Sequence, residues 1–331
     1  MSVKRSDLSR RNLFKGTAAA GASLAGLAAT GALTSTARAK APLLGPERPS
    51  YYRFDLGDFE VTTLLDGGIQ LEGPHPIFGE NVEAGDVQAL AEKNFLPADQ
   101  MAIGFTPVIV NTGEQLIMFD SGNGAGRRPD AGRLAELFEG AGFAPAEVDI
   151  VVITHFHPDH IGGLMEDGAP LFPNASYVTN EAEYDFWSPE DKLSGGTERV
   201  AKLTQSNVVP FAEKITFIKD GSDVVSGVTA VDASGHTPGH TAFHLESAGE
   251  RLMITADTAN HYIMSLERPD WHVRFDMDKD AAIASRKKIF GMIAADRIPF
   301  TGYHMPFPAV GYVEAVNGGF RYVPASYQLD L

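Results

Sequence analysis

Apolar residues along this chain gather in short runs separated by longer stretches of mixed polarity. Pro107–Val110, Gln115–Phe119, Ile150–Thr154 and Leu252–Thr255 have the length and the aliphatic content of buried strands. Gly132–Glu139 and Lys279–Ile298 read instead as helices. Strands alternating with helices predict an α/β fold. The run from Thr106 to Asp120 is echoed from Thr241 to Asp257: strand, Gly-Glu turn, second strand, and an Asp where that strand ends. The echo suggests two related halves in one domain, although hairpins with Gly-Glu turns also resemble one another by chance. From Tyr51 no shift in composition marks a boundary, so residues 51–331 are expected to form one domain. Residues 40–50, with Pro42, Pro46 and Pro49, read as a linker or N-terminal arm.

Charge divides the chain unevenly. Lys4, Arg5, Arg10, Arg11, Lys15 and Arg38 face only Asp7 in residues 1–39, a local +5, so a formal −16 overall leaves about −21 for the remainder. A field of that sign repels phosphate backbones and anionic headgroups, which argues against nucleic-acid and membrane partners. Arg10-Arg11 precede an Ala/Gly-rich stretch from Gly16 to Leu33 and then Ala37-Arg38-Ala39, a small-x-small cleavage pattern. Residues 1–39 therefore look like a twin-arginine signal peptide. The expectation is a periplasmic or secreted protein that meets the Tat translocase during export, with its mature chain starting near Lys40. With no cysteine among 331 residues, disulfides, thiolate ligands and cysteine nucleophiles are all excluded. Any metal must rest on histidine and carboxylates.

Such groups are concentrated in one place. Residues two apart on an extended chain point the same way, so His155 and His157 project together from the end of the run at Ile150. Pro158 stops the strand, and Asp159 and His160 open a turn or helix beside it. Three imidazoles and a carboxylate buried unpaired would be costly, and a bound cation offsets that cost.

His155-x-His157-x-Asp159-His160 resembles the signature of the metallo-β-lactamase superfamily, whose fold is a four-layer αββα sandwich with a one- or two-metal site at one edge of its sheets. The resemblance implies that His155, His157 and His236 bind one ion and that Asp159, His160 and His304 bind the other. Asp257 would bridge them. Gly235-His236-Thr237-Pro238-Gly239-His240 offers two imidazoles; the family's ligand is the His before the Thr, which favours His236 and leaves His240 to support a ligand or line the pocket. Asp120 would orient a ligand from behind, or is an ordinary turn residue at a strand end. Segments such as Gly57–Thr62, Phe172-Pro173-Asn174-Ala175, Asp185-Phe186-Trp187 and Gly319–Pro324 resemble the methyl parathion hydrolase and lactonase-like branch. That branch implies a homodimer and an aromatic pocket to which Phe186 and Trp187 would contribute. Those two aromatics fit an ordinary core as well.

The chain also departs from the family it resembles. The Tyr that follows the equivalent of Asp257 by three residues in acyl-homoserine lactone hydrolases is Asn260 here, and Tyr262 is the nearest replacement. The stretch from Asn260 to Phe275, with His261, Trp271 and His272, is expected to line or cover the pocket. His and carboxylate ligands suit two divalent transition-metal ions, zinc first and Mn, Fe or Co as alternatives. The expected chemistry is attack of a metal-bridging hydroxide on a small neutral ester-like substrate: a lactone, an aryl ester or a phosphotriester. Asp257 and Asp159 are the candidate catalytic carboxylates. Rival readings are a glyoxalase-type thioesterase or β-lactamase, which would need a basic pocket drawn from Arg127, Arg128 or Arg274, and an iron-dependent persulfide dioxygenase-like enzyme. A binding protein that merely keeps the fold is a further rival, which the complete ligand set disfavours.

Overall fold

The computed structural model describes Leu43 and residues 49–326; the expected leader and most of the arm lie outside the described residues. Two seven-stranded sheets dominate. In spatial order the first holds Tyr51–Leu56, Phe59–Leu64, Val108–Asn111, Leu116–Phe119, Ile150–Ile153, Ser176–Asn180 and Ile215–Ile218. The second holds Asp223–Val225, Val228–Asp232, Thr241–Ser247, Glu250–Ile254, Phe300–Thr301, Val310–Val316 and Gly319–Pro324. The expected strands and both helices are present with ends shifted by a few residues, the helices running Leu134–Gly140 and Lys279–Asp296.

Side-chain alternation explains how the layers stack. Ile150 and Val152 point between the sheets, where they join Ile117, Phe119, Phe243 and Leu252. Val151 and Ile153 point the other way, onto Leu134, Phe138 and Trp187 of the first helical layer. The parallel strand Ile150–Ile153 is buried on both faces, so its sequence is a continuous apolar run rather than an alternating one. Across the sandwich, Ile289, Phe290 and Ile293 of the long helix cover Met253 and Phe300 of the second sheet. The order helix, sheet, sheet, helix is the αββα sandwich.

The two echoed segments form antiparallel hairpins, one in each sheet. They meet at the centre, where Phe119 and Phe243 pack edge to face at 5.2 Å, a contact worth about 0.5–1.5 kcal/mol beyond its buried area. A smaller antiparallel pair, Gly67–Glu72 with Gln100–Phe105, stands apart from both sheets, with the helix Ala84–Lys93 between the two strands in sequence. It shares a satellite core with Phe78, Val87, Trp271 and Val273. Among the described residues no helix is long and apolar enough to cross a membrane.

Candidate metal centre

The strand Ile150–Ile153 ends one residue before Thr154, and His155 and His157 follow with ring centroids 4.8 Å apart. His157 caps the helical turn Pro158–Ile161, whose first position is the proline. That turn lifts Asp159 and His160 beside the first pair. Gly163 lets the next segment press against the end of the Leu116–Phe119 strand, since a Cβ there would lie 2.0 Å from the Ser121 carbonyl oxygen. Gly235, at φ +123, brings His236 in under the start of the long helix. Asp257 sits in the turn after Glu250–Ile254. His304 follows Phe300–Thr301.

These residues converge in two groups. His155, His157, His236 and Asp257 offer ligand atoms that all lie within 4.8 Å of one another, and Asp159, His160 and His304 do the same. Asp257 joins them: its Oδ2 is 3.3 Å from His236 Nε2 and 3.0 Å from His304 Nε2, and its Oδ1 is 3.2 Å from His160 Nε2. Partners on the far side of each ring fix which nitrogen faces inward. Nδ1 of His304 must donate to the Gly104 carbonyl at 2.9 Å, because a carbonyl only accepts. Nδ1 of His160 donates to Asp120 Oδ2 at 2.7 Å and Nδ1 of His236 to Asp276 Oδ1 at 2.8 Å. In each case Nε2 is the nitrogen turned to the centre, where it can ligate once it has lost any proton it carries.

The donor set fits divalent metal. His155 Nε2 is buried without a hydrogen-bond partner, a cost of about 1–3 kcal/mol that a cation would remove, and His160 Nε2 and Asp257 Oδ1, though 3.2 Å apart, make no well-aligned hydrogen bond. His157 Nδ1 lies 2.8 Å from His236 Nε2, so those nitrogens need a shared proton or a shared cation. Burial holds His155 and His157 well below the usual histidine pKa, which keeps them neutral and ready to ligate. Burial also opposes charge on His160, but Asp257, Asp120 and Asp159 outweigh it and hold that ring well above the usual value. His236, against the same burial, is raised to about 9 by its bonds to Asp257 and Asp276.

His240 is not part of the ligand set. Its Nδ1 must donate to the Ala233 carbonyl at 2.9 Å, and its Nε2 then accepts the backbone N–H of Asp257 at 3.1 Å, so both nitrogens are committed. Asp120 lies behind the centre as a clamp: it accepts from Thr154 N at 2.8 Å and Thr154 Oγ1 at 2.9 Å as well as from His160.

Residues 106–300, more than half of the chain, match the metallo-beta-lactamase superfamily. The chain belongs to that superfamily. An N-acyl homoserine lactonase AttM of Azorhizobium caulinodans is 30% identical over 140 residues, which cover 40% of this chain and 49% of that protein. The chain thus spans about half the length of the AttM lactonases it matches. Among solved structures, AidC, described as a dizinc quorum-quenching lactonase in complex with a product, aligns at a TM-score of 0.75 with 27% identity, covering 84% of this chain and 98% of that one. AbOPH, a hydrolase in the beta lactamase superfamily, aligns at a TM-score of 0.78 with 26% identity, covering 85% and 99%.

In this superfamily member two cavities flank His304. A cleft of about 360 Å³ opens on His157, Asp159, Asp257 and His304, with Ile69, Leu71, Ile103, Phe105 and Phe275 among its walls. A second cavity of about 450 Å³ is bordered by His261, Tyr262, Gln70, Met101 and Met264. His261 and Tyr262 border the second cavity and not the cleft that opens on Asp159 and Asp257, and Phe186, Trp187 and Trp271 line neither. Trp187 is buried in the first helical layer and donates its indole N–H to Glu183 at 2.9 Å. Phe186 packs on Trp187, with the Lys192 ammonium 4.5 Å from its ring centre. Trp271 belongs to the satellite core. The position three residues after Asp257 holds no phenol: Asn260 there donates from Nδ2 to Asp257 Oδ2 at 3.0 Å. The tyrosine at the centre is Tyr303, whose ring lies 3.9 Å from that of His160 and whose hydroxyl donates to the Asp159 carbonyl.

Other supports went unseen in the sequence. Buried Glu183 accepts from Phe156 N, Trp187 Nε1, Thr237 Oγ1 and Gly239 N, tying the His155–His157 segment to the one that carries His236. Fully buried Arg286 bonds Asp276 Oδ2 at 2.9 Å, the Thr258 carbonyl at 2.9 Å and the Pro269 carbonyl at 3.0 Å. It thereby fixes the carboxylate that orients His236.

Proposed function

We propose that this protein is a two-metal hydrolase that opens lactones and related ester bonds. One observation carries the reading: seven ligand-type side chains in two groups that meet at Asp257, with inward nitrogens fixed by outward hydrogen bonds. The likeness to AidC and to the AttM lactonases supports the lactone as substrate. Two divalent ions held by His155, His157 and His236 and by Asp159, His160 and His304, with Asp257 between, would supply a nucleophile at neutral pH and polarise the carbonyl. Zinc is the metal we assign, on the dizinc description of AidC. An apolar acyl group would lie along Ile69, Leu71, Ile103 and Phe105. Asp159, with 17% of its side chain exposed against 4% for Asp257, faces the cleft more openly and is assigned to carry a water proton to the leaving alkoxide. Asp257 holds the ligand histidines in register. The proposal extends to export through the twin-arginine leader and to a homodimer.

Metal analysis of the purified protein tests the reading together with turnover of γ-lactones, N-acyl homoserine lactones, p-nitrophenyl acetate, a paraoxon-type triester and nitrocefin. Lactone or ester turnover with two divalent ions bound is the expected result. A single iron with oxygen consumption would overturn it.

A further inference from the structure

Two arginines converge on the cleft that opens on the ligand cluster. Arg127 comes from the turn Ala125–Arg127 and Arg199 from the first turn of the helix Glu198–Asn207, and both line that cleft beside His157, Asp159 and His304. The Arg127 guanidinium stands 5.8 Å from the centre of the Phe105 ring, and Phe105 meets the His304 ring edge-on at 5.7 Å. One aromatic ring therefore separates this cation from the metal ligands. Neither arginine has a carboxylate within ion-pair distance among the described residues. Their neighbours do: Arg128 pairs with Glu166 at 2.8 Å and Arg133 with Glu136 at 3.1 Å. Arg127 and Arg199 are the two cations that line this cleft, whose other walls are the ligand residues and apolar side chains.

We propose that Arg127 and Arg199 form an anion subsite for a carboxylate on the acyl portion of the substrate, so that the preferred lactone or ester carries a negative charge remote from the bond that breaks. The chemistry of that bond rests on the hydrolase reading above. A guanidinium offers a planar pair of donors matched to a carboxylate; Arg127 is half-buried and Arg199 exposed at the mouth of the cleft. The subsite reverses the neutral substrate expected from the acidic exterior. Exposed charges are screened beyond a Debye length of roughly 8–10 Å, so the net charge does not decide the sign inside a cleft.

Calorimetry on the zinc-loaded full chain tests this without turnover. Dicarboxylates from succinate through sebacate are compared with their monoamides, one carboxylate addressing the ligand cluster and the other the arginines. At a matching chain length the dicarboxylate should bind at least about tenfold tighter than its monoamide. The gap should shrink with added salt and close in Arg127→Met and Arg199→Met proteins that retain their zinc. Equal affinities through the whole wild-type series would overturn the proposal, as would a gap that survives in both variants. The ratio of kcat/KM for p-nitrophenyl esters of glutarate and of its monoamide separates the two readings. Ester turnover without dicarboxylate discrimination would remove the anion subsite and leave the hydrolase. Discrimination without any ester or lactone turnover would do the reverse.

Discussion

The imidazole of His240 accepts the backbone N–H of Asp257 on Nε2 at 3.1 Å while its Nδ1 donates to Ala233. His240 thus acts on the metal centre through the placement of Asp257, whereas His236 offers a nitrogen directly. The cobalt-substituted protein should distinguish them. Replacing His236 by Gln should alter the d–d absorption and lose an ion. Replacing His240 by Gln should preserve the band shape and weaken metal binding by about 10–100-fold, the usual effect of losing a group behind a ligand. Identical spectral changes in the two variants would contradict the assignment.

Glu183 holds two ligand-bearing segments with one carboxylate. Glu183→Gln turns an NH2 group toward donors and leaves at least one buried N–H unpaired. The expected loss is about 2–4 kcal/mol of stability, read by urea unfolding of the apo protein, with weaker zinc binding in a chelator competition. An unchanged urea midpoint would show that the four hydrogen bonds do not tie the segments together.

Asp276 and Arg286 form a fully buried pair behind His236. Removing one member of such a pair leaves an uncompensated charge at a cost of about 3–5 kcal/mol. Arg286→Met should therefore destabilise the apo protein by that order in thermal or urea unfolding. Asp276→Asn should cost stability to the same order, because it leaves the buried Arg286 cation without its carboxylate, and should reduce zinc affinity more, because it alters the partner of His236 Nδ1. Equal effects of the two variants on both readouts would contradict this division.

What the sequence disclosed follows from locality. The α/β alternation was legible because strands buried on both faces read as apolar runs, and the αββα layering came with the family resemblance carried by His155–His160, which packs four ligand groups into one segment. Asp257 was marked by the echo of the hairpin ending at Asp120. Glu183 was not visible, since it stands between Glu181 and Asp185 on a short helix and only the fold brings Phe156 and Gly239 to it. One signal existed: Glu183 and Trp187 are four residues apart, on one helix face, and that same face takes Trp187 into the core instead of the pocket. Arg286 left a clearer trace. It is the one charged residue on the buried stripe of Ala282, Ser285, Ile289, Phe290 and Ile293. The antiparallel pair Gly67–Glu72 with Gln100–Phe105, which walls the cleft, carried alternating Ile69, Leu71, Met101 and Ile103 that the apolar-run reading passed over.

Metal loading should release protons. In the apo protein His160, His236 and His304 are all raised above the usual histidine value, opposed by burial and lifted chiefly by Asp257. With His236 at about 9, that ring carries a proton at neutral pH and must give it up to ligate. Zinc calorimetry at neutral pH in buffers of different ionisation enthalpy should therefore show net proton release, decreasing as the pH approaches 9. The sign is fixed: raised histidines are protonated below their folded-state pKa and neutral above it. Release that is absent at neutral pH would contradict a proton on His236 in the apo protein.

The central claim is that these ligands hold two ions whose joint presence opens a lactone. Zinc titrated into the chelator-stripped full chain, with opening of an N-acyl homoserine lactone followed by acid release, tests it most directly. The account predicts little turnover at one equivalent and a rise that saturates at two. Saturation at one equivalent, or a fully zinc-loaded protein that leaves the lactone intact, would contradict it.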